Sequence, residues 1–249
     1  MAKRFKQFWK MYWHKLWELM ILNLLTLLCC VPIITIGPVL AGMTKVIRAY
    51  YLEKSVFLVH EFFKGFKENW KKSGIIGLFD LFVLFSFVTG YRVYTAMGSS
   101  IPIFLLGVTY VVAAGVFVMN FYIFPMIVTT DLSLRDIIKN SFILTVAALP
   151  RNFITLVIIA LVTIPYIFLV LANPFFVLLF FLFYVTGMGF MIFFRSYPIV
   201  QKYVIDPFYA LQNKTNPEYG EDYDISEALF SDRYDNIEKE QKEQKSDKS

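Results

Sequence analysis

The sequence is poor in the side chains that carry most enzyme and metal chemistry. Charged residues make up only 17% of its 249 residues, and it has two cysteines and two histidines. Cys29 and Cys30 are adjacent within an apolar run, and His14 and His60 are isolated. A zinc site needs about four suitably spaced ligands. We therefore expect two buried thiols, no metal site and no cofactor.

Catalytic sequence motifs are absent as well. The chain has no Gly-x-Ser-x-Gly, no His-Glu-x-x-His and no Walker loop. These patterns mark serine hydrolases, zinc proteases and nucleotide hydrolases. We expect that the chain is not an enzyme and does not drive transport by hydrolysing ATP itself.

What the chain has in excess is hydrophobic sequence. Hydrophobic residues reach 57% and the mean hydropathy is +0.58, whereas soluble domains have about 45–50% apolar residues. Apolar runs lie at about 16–36, 74–97, 101–128, 153–172 and 175–194. Each has roughly 20 residues, enough for a helix that crosses a bilayer. Open strands cannot satisfy their backbone in lipid, so the fold class is all-α.

Basic residues predict a sixth membrane helix. Five of them precede residue 16 and seven lie between residues 45 and 72, so a single crossing would put one cluster outside, against the positive-inside rule. Pro32 and the Gly37-Pro38 pair break the first run, and residues 39–52 read as a short returning helix. We predict a polytopic membrane helix bundle of about six helices in three hairpins, at about 13–36, 38–52, 74–97, 101–128, 153–172 and 174–195.

This topology places 23 of the 24 basic residues on the cytoplasmic side, with only Arg92 toward the outside. We expect a multi-pass protein of the plasma membrane with both termini in the cytoplasm. The basic charge lies between membrane-spanning runs, so its expected partner is the lipid bilayer and not nucleic acid. An amphipathic segment precedes each hairpin, which indicates either an internal repeat or the common need for interfacial helices.

The predicted membrane domain covers residues 1–200 and a cytoplasmic tail covers residues 201–249. The tail has a net charge of −5 and the remainder +10, and we expect disorder after about residue 213. The tail either ends the chain as a soluble segment or takes part in a cytoplasmic interaction. The candidate residues for that interaction are Lys64, Lys67, Lys71 and Lys72 in the body and Ile225, Leu229 and Phe230 in the tail.

Polar side chains at membrane depth are the candidate functional residues. They are Asp80, Arg92, Asn23 and Asn120. Asp80 serves either an inter-helix hydrogen bond or a coupling site, and Arg92 is expected to extend to the outer interface. Asn23 is either a contact between helices or a ligand-binding group. The breaks at Gly37-Pro38 and Pro165 form either simple turns and kinks or a broken-helix binding site.

One stretch of sequence carries a family resemblance. Asn23 begins an Asn-Leu-Leu triplet, and Pro32, Thr35, Gly37 and Pro38 follow in the run Pro-Ile-Ile-Thr-Ile-Gly-Pro. Over residues 10–90 the chain resembles the YesL-like family, bacterial membrane proteins defined as a domain of unknown function. Its members occur mostly in Gram-positive bacteria, often encoded near genes for carbohydrate uptake and breakdown. The resemblance implies an association with carbohydrate uptake and breakdown, but it supplies no catalytic residues.

Two functions remain open at this point. The first is an auxiliary component that binds a membrane transport complex, for which the resemblance implies carbohydrate uptake or utilisation. The second is a small-solute transporter or channel, which requires a polar path across the membrane. If the four intramembrane polar residues converge on one cavity, transport is favoured; if they scatter, the auxiliary role is favoured. The sequence predicts no particular solute, partner or oligomeric state.

Overall fold

The computed structural model describes residues 2–54, 56–97 and 100–211, and all their regular structure is helical. The helices are α1 (Ala2–His14), α2 (Leu16–Cys29), α3 (Ile36–Tyr51), α4 (Leu58–Glu68), α5 (Trp70–Met97), α6 (Ser100–Thr129), α7 (Leu134–Ala147), α8 (Leu149–Ala172), α9 (Val177–Leu179), α10 (Val185–Val200) and α11 (Asp206–Leu211). Short 3-10 turns lie at Ile33–Thr35 and Pro174–Phe176, and π-helical segments lie at Phe180–Tyr184 and Gln201–Ile205. The predicted all-α class is confirmed.

Within these described residues, five helical runs are long and apolar enough to cross a membrane. They are Ile33–Tyr51, Trp70–Val93, Phe104–Thr129, Leu149–Ala172 and Pro174–Tyr209. α2 is also apolar but has only 14 residues. Its length is therefore about 21 Å, against about 30 Å for the hydrocarbon core of a bilayer. The chain is a polytopic helical bundle with five long apolar runs and one short apolar helix.

The first predicted helix, 13–36, is divided in the structure. α1 ends at His14, where Lys15 leaves helical geometry with φ −103° and ψ 11°. α2 then ends at Cys29, and Pro32 is extended with φ −76° and ψ 109°. Proline lacks the N–H that a continuing helix requires. The chain therefore turns at residues 30–35 before α3 begins.

Other helices extend beyond their apolar runs. The helix predicted at 74–97 begins at Trp70, and the helix predicted at 153–172 begins at Leu149. The helix predicted at 174–195 belongs to a helical run that reaches Tyr209. Lysine and arginine are good helix formers, so these helices continue through the basic residues at their ends. Hydropathy marks the part of a helix in the membrane and does not mark where the helix ends.

α3 is the most buried of the five long runs, and glycines let two helices contact its backbone. A Cβ atom on Gly37 would overlap the Ser73 carbonyl oxygen, and one on Gly77 would lie 2.7 Å from the Gly37 Cα. A Cβ atom on Gly42 would lie 2.7 Å from the carbonyl oxygen of Phe62 in α4. Small residues at such crossings allow helices to approach closely in membranes. α3 therefore packs along both α4 and the beginning of α5.

The packed core lies toward one end of the bundle. The buried residues of α6 lie between Val118 and Ile127, and those of α8 are Asn152 and Thr155, near its start. Toward its other end α6 exposes apolar side chains, such as Phe104 and Val111. An exposed apolar surface is what lipid-facing helices present. The core therefore surrounds the ends of α6, α8 and α10 that the sequence predicts to face the cytoplasm.

Amphipathic helices precede the membrane helices, as the sequence suggests. α4 buries Phe62 and Gly65 and exposes basic residues on its other side. Lys45 of α3 forms ion pairs with Glu61, at 4.0 Å, and with Glu68. α4 thus packs against α3 through apolar and charged contacts together.

The chain divides into two units, Met1–Pro207 and Phe208–Ser249. Of the second unit the structure describes only residues 208–211, the end of α11, where the rings of Phe208 and Tyr209 meet edge to face with centroids 5.5 Å apart. The tail residues Ile225, Leu229 and Phe230 lie outside the described residues.

Candidate functional site

Asp80 and Asn120 meet inside the bundle. α5 and α6 form an antiparallel hairpin, and the Asn120 Nδ2 donates a hydrogen bond of 3.0 Å to Asp80 Oδ1. Asp80 is half-buried and lies ten residues after Trp70, the first residue of α5. The bond therefore joins two membrane helices about 15 Å along from the start of α5.

A cavity of about 550 Å³ lies beside this pair, between α3, α5, α6 and α10. Most of its wall is apolar, from residues such as Leu84, Phe117 and Phe193. The polar side chains in its lining are Thr44, Asp80, Asn120 and Ser196. The volume and the apolar lining are typical of sites for small molecules, in which few polar groups orient the ligand.

Two oxygens of the cavity wall have no hydrogen-bond partner in the described part of the chain. They are Asn120 Oδ1 and Ser196 Oγ, and both are buried. Thr44 Oγ1, by contrast, donates to the carbonyl oxygen of Leu40 at 2.7 Å. A buried polar atom without a partner is unfavourable, so these two oxygens are unfavourable positions in residues that line the cavity.

Asn23 lies elsewhere and is fully engaged. Its Nδ2 donates to the carbonyl oxygens of Phe180 and Phe181, at 2.9 and 2.7 Å. Its Oδ1 accepts the backbone N–H of Thr186 at 2.9 Å. A π-helical turn leaves backbone groups without their usual i−4 partners, and Asn23 satisfies groups at both ends of the turn Phe180–Tyr184. Asn23 therefore joins α2 to the last membrane helix and leaves no amide atom for a ligand.

The other motif residues shape the turn between α2 and α3. Thr35 Oγ1 lies 2.6 Å from the Cys29 carbonyl oxygen and 2.5 Å from that of Pro32, and donates to them. The last carbonyls of a helix need such partners. Gly37 allows the contact with α5, and the buried Pro38 follows in the first turn of α3. These roles are structural, so the motif specifies a hairpin and its packing.

Arg92 does not join the cavity. It lies twelve residues beyond Asp80 on α5, about 18 Å along the helix, and is exposed. Of the four predicted intramembrane polar residues, the structure brings two together, engages Asn23 in another contact and leaves Arg92 at the surface.

Three of the four lysines predicted to take part in a cytoplasmic interaction are exposed, and the fourth makes a contact within the protein. Lys64, Lys67 and Lys71 are exposed. Lys72 donates instead to the carbonyl oxygen of Leu132, at 2.8 Å, and so holds the loop before α7.

The structure contains a second polar cluster that the sequence reading missed. Tyr122 donates to Asn152 Oδ1 at 2.5 Å, and Arg195 Nε donates to Thr155 Oγ1 at 2.8 Å. Tyr122, Asn152 and Thr155 are buried, and Arg195 is half-buried. Asn152 and Thr155 are three residues apart and share a helix face. Two polar residues at this spacing, at the start of an otherwise apolar run, are the sequence feature that indicates this cluster.

In the part of the chain that the structure describes, no three His, Cys, Asp or Glu residues cluster to hold a metal ion. Cys29 and Cys30 are free thiols and are half-buried.

Comparison with known proteins gives a partial family match and no activity. The family described as "Protein of unknown function, DUF624" matches residues 19–91, or 73 of the 249 residues. No curated protein and no solved structure matches the chain. The matched segment nearly coincides with residues 10–90, and it contains α3, α4, Asp80 and the five motif residues. Over residues 19–91, the chain is thus similar to a family of unknown function.

Proposed function

We propose that this chain is an auxiliary protein of the bacterial plasma membrane that binds a membrane transport complex and performs no catalysis itself. Both termini face the cytoplasm, and the short first hairpin enters the bilayer and returns to the cytoplasmic side. The family match over residues 19–91 covers most of the segment that carries the YesL-like resemblance. The proposed setting, carbohydrate uptake or utilisation in a Gram-positive bacterium, rests on that resemblance alone.

The observation that carries the proposal is the dispersal of the intramembrane polar residues. Asn23 is occupied by backbone groups of another helix, and Arg92 is at the surface. Asp80 and Asn120 bond to each other beside a cavity whose wall is mostly apolar. A solute path needs polar groups at successive depths. In the described residues the polar side chains that line the cavity are few: Thr44, Asp80, Asn120 and Ser196.

Aromatic and basic residues at the start of the chain support the proposed orientation. Trp9, Trp13 and Trp17 are exposed and follow one another at four-residue spacing along α1 and α2. Tryptophan concentrates at membrane–water interfaces, and basic residues are enriched on the cytoplasmic side. An interfacial α1 that carries these basic residues supports a cytoplasmic N-terminus.

The cavity keeps a small-solute transporter as the second candidate. Its volume of about 550 Å³ and the few polar side chains in its lining would suit a small ligand with few polar groups. Transport would require Asp80 or Asn120 to change partners during a cycle. An auxiliary protein requires only that the pair stays bonded.

The two functions separate in an uptake experiment. Cells that lack this chain are complemented with the wild type or with Asp80→Asn, and uptake of a panel of labelled sugars is measured. We expect reduced uptake of at least one sugar without the chain, and full restoration by both versions. Cross-linking in the complemented cells should recover subunits of that sugar's importer. Failure of Asp80→Asn to restore uptake, at normal membrane levels, would instead favour the transporter.

A further inference from the structure

Two arginines lie together where α6, α8 and α10 meet. Arg195 Nε donates to Thr155 Oγ1 at 2.8 Å, and Thr155 Oγ1 donates to the carbonyl oxygen of Arg151 at 2.8 Å. Arg151 and Thr155 are four residues apart and therefore share one face of α8. Arg151 is exposed and lies one turn of α8 before the threonine that Arg195 contacts. Thr155 thus bonds to the side chain of Arg195 and to the backbone of Arg151, and so brings these two residues of different helices into one region.

The surroundings of Arg195 are fixed by other hydrogen bonds. Asn152 Nδ2 donates to the carbonyl oxygen of Thr145 at 3.0 Å, and Asn152 Oδ1 accepts the Tyr122 hydroxyl. These buried groups are engaged with one another and hold α6, α7 and α8 together. Thr155 in turn holds the guanidinium of Arg195 through Nε, and the two terminal nitrogens have no described hydrogen bond.

No carboxylate balances the two positive charges in the described residues. The described carboxylates Glu18, Glu61 and Glu68 pair with Lys15 and Lys45, away from both arginines. The Arg195 side chain makes no described hydrogen bond other than the one to Thr155. Arg195 is half-buried, and a partly buried charge is unfavourable unless an opposite charge accompanies it. A half-buried arginine with a free fork of N–H groups is the usual partner for phosphate oxygens.

We propose that Arg195 and Arg151 form a binding site for a phosphate oxyanion at the predicted cytoplasmic end of α8 and α10. Arg151 is the third residue of α8, and the 20 residues after Asn152 contain no charged side chain. In the other helix, residues 174–194 likewise carry no charge before Arg195. Both arginines therefore lie at the same end of apolar segments of membrane-spanning length. A lipid headgroup and free phosphate both carry the phosphate oxygens that this site would bind.

The test is a titration of the full-length chain, purified in an uncharged detergent. The probes are short-chain phosphatidylglycerol, short-chain phosphatidylcholine and inorganic phosphate, with binding measured calorimetrically. We expect phosphatidylglycerol to bind and Arg195→Gln to weaken its affinity about tenfold or more, as loss of charge-assisted hydrogen bonds implies. Arg195→Lys keeps the charge but removes the two-pronged geometry, so it too should weaken binding. Arg92→Gln, at an exposed site elsewhere, is the matched control and should change affinity less than about twofold.

Each outcome either identifies the source of the phosphate, a lipid headgroup or free phosphate, or overturns the proposal. Binding of inorganic phosphate that depends on Arg195 identifies free phosphate as a ligand, whereas lipid binding without phosphate binding identifies the headgroup. Equal binding of both lipids indicates recognition of the phosphate group itself. Unchanged affinity in Arg195→Gln and Arg151→Gln, or an equal loss in Arg92→Gln, would overturn the site. If Arg195→Gln fails to fold, Arg195→Lys and Thr155→Val supply the same comparison with the charge retained.

Discussion

The Asn23 amide oxygen accepts the backbone N–H of Thr186 at 2.9 Å, across 163 residues of sequence. The same amide donates to two carbonyl oxygens of the π-helical turn before Thr186. One side chain in the first apolar helix therefore stabilises an irregular segment of the last one.

Replacing Asn23 with leucine should destabilise the protein. The substitution leaves a backbone N–H and two carbonyl oxygens of the π-helical turn without these bonds in a buried, apolar region. We expect a loss of about 2 kcal/mol, the upper end for polar contacts between membrane helices. Thermal unfolding in detergent measures it. The neighbouring exposed residue provides the control: Leu24→Ala should change stability much less, and equal losses would show that Asn23 has no special role.

Substituting alanine for Gly37 should disturb the crossing of α3 and α5. A methyl group there overlaps the Ser73 carbonyl oxygen, which belongs to backbone and cannot move aside alone. Overpacking of this kind typically costs about 1–3 kcal/mol. Gly115→Ala is the matched control, because nothing lies within 4 Å of a Cβ atom at that position. We expect lower expression and a lower melting temperature for Gly37→Ala alone, and similar behaviour of the two variants would refute the close crossing.

The sequence is sufficient to predict the all-α class, but it predicts few of the contacts between the helices. Hydrophobic runs predict the membrane helices because apolar length is required to cross lipid. Ser133 before α7 lies in a local Ser-x-x-Asp pattern that is typical of a helix N-cap, and in the structure Asp136 N donates to Ser133 Oγ at 3.2 Å. Asn23 was correctly placed among contacts between helices as one of two alternatives. The backbone groups that it contacts could not be predicted, because no local sequence pattern indicates a π-helical turn.

The pairing of Asp80 with Asn120 shows a similar limit. Both residues were selected because polar groups at membrane depth are rare, but their contact depends on how α5 and α6 pack in register. Arg195 was counted only as a basic residue at a helix end. Its bond to Thr155 depends on the approach of two helices that are 40 residues apart in sequence.

Changing Asp80 to asparagine should reduce stability only modestly. An asparagine at this position still accepts the hydrogen bond from Asn120 Nδ2, so we expect a loss of about 0.6–2 kcal/mol and normal insertion. A double-mutant cycle with Asp80→Ala and Asn120→Ala measures the coupling between the two side chains. Strictly additive losses would show that the 3.0 Å bond makes no contribution to stability.

The turn after α2 should be inaccessible to water-soluble reagents from outside the cell. Its side chains Val31, Ile33 and Ile34 are apolar and exposed, and α2 is about 21 Å long, too short to carry them across about 30 Å of hydrocarbon. We replace single residues with cysteine in a background lacking Cys29 and Cys30 and label intact cells. Asn173→Cys should react from outside, whereas Ile34→Cys and Ser133→Cys should not. Outside labelling at Ile34 would mean that the first hairpin spans the membrane.

Solute flux through the purified chain tests the proposed auxiliary role most directly. The full-length protein is reconstituted into proteoliposomes, and the entry of labelled sugars is compared with entry into protein-free vesicles, for the wild type and for Asp80→Asn. The scattered positions of Asn23, Arg92 and the Asp80–Asn120 pair predict no flux above the protein-free level for either version. Saturable sugar entry that the wild type supports and Asp80→Asn abolishes would contradict the auxiliary role and establish a transporter.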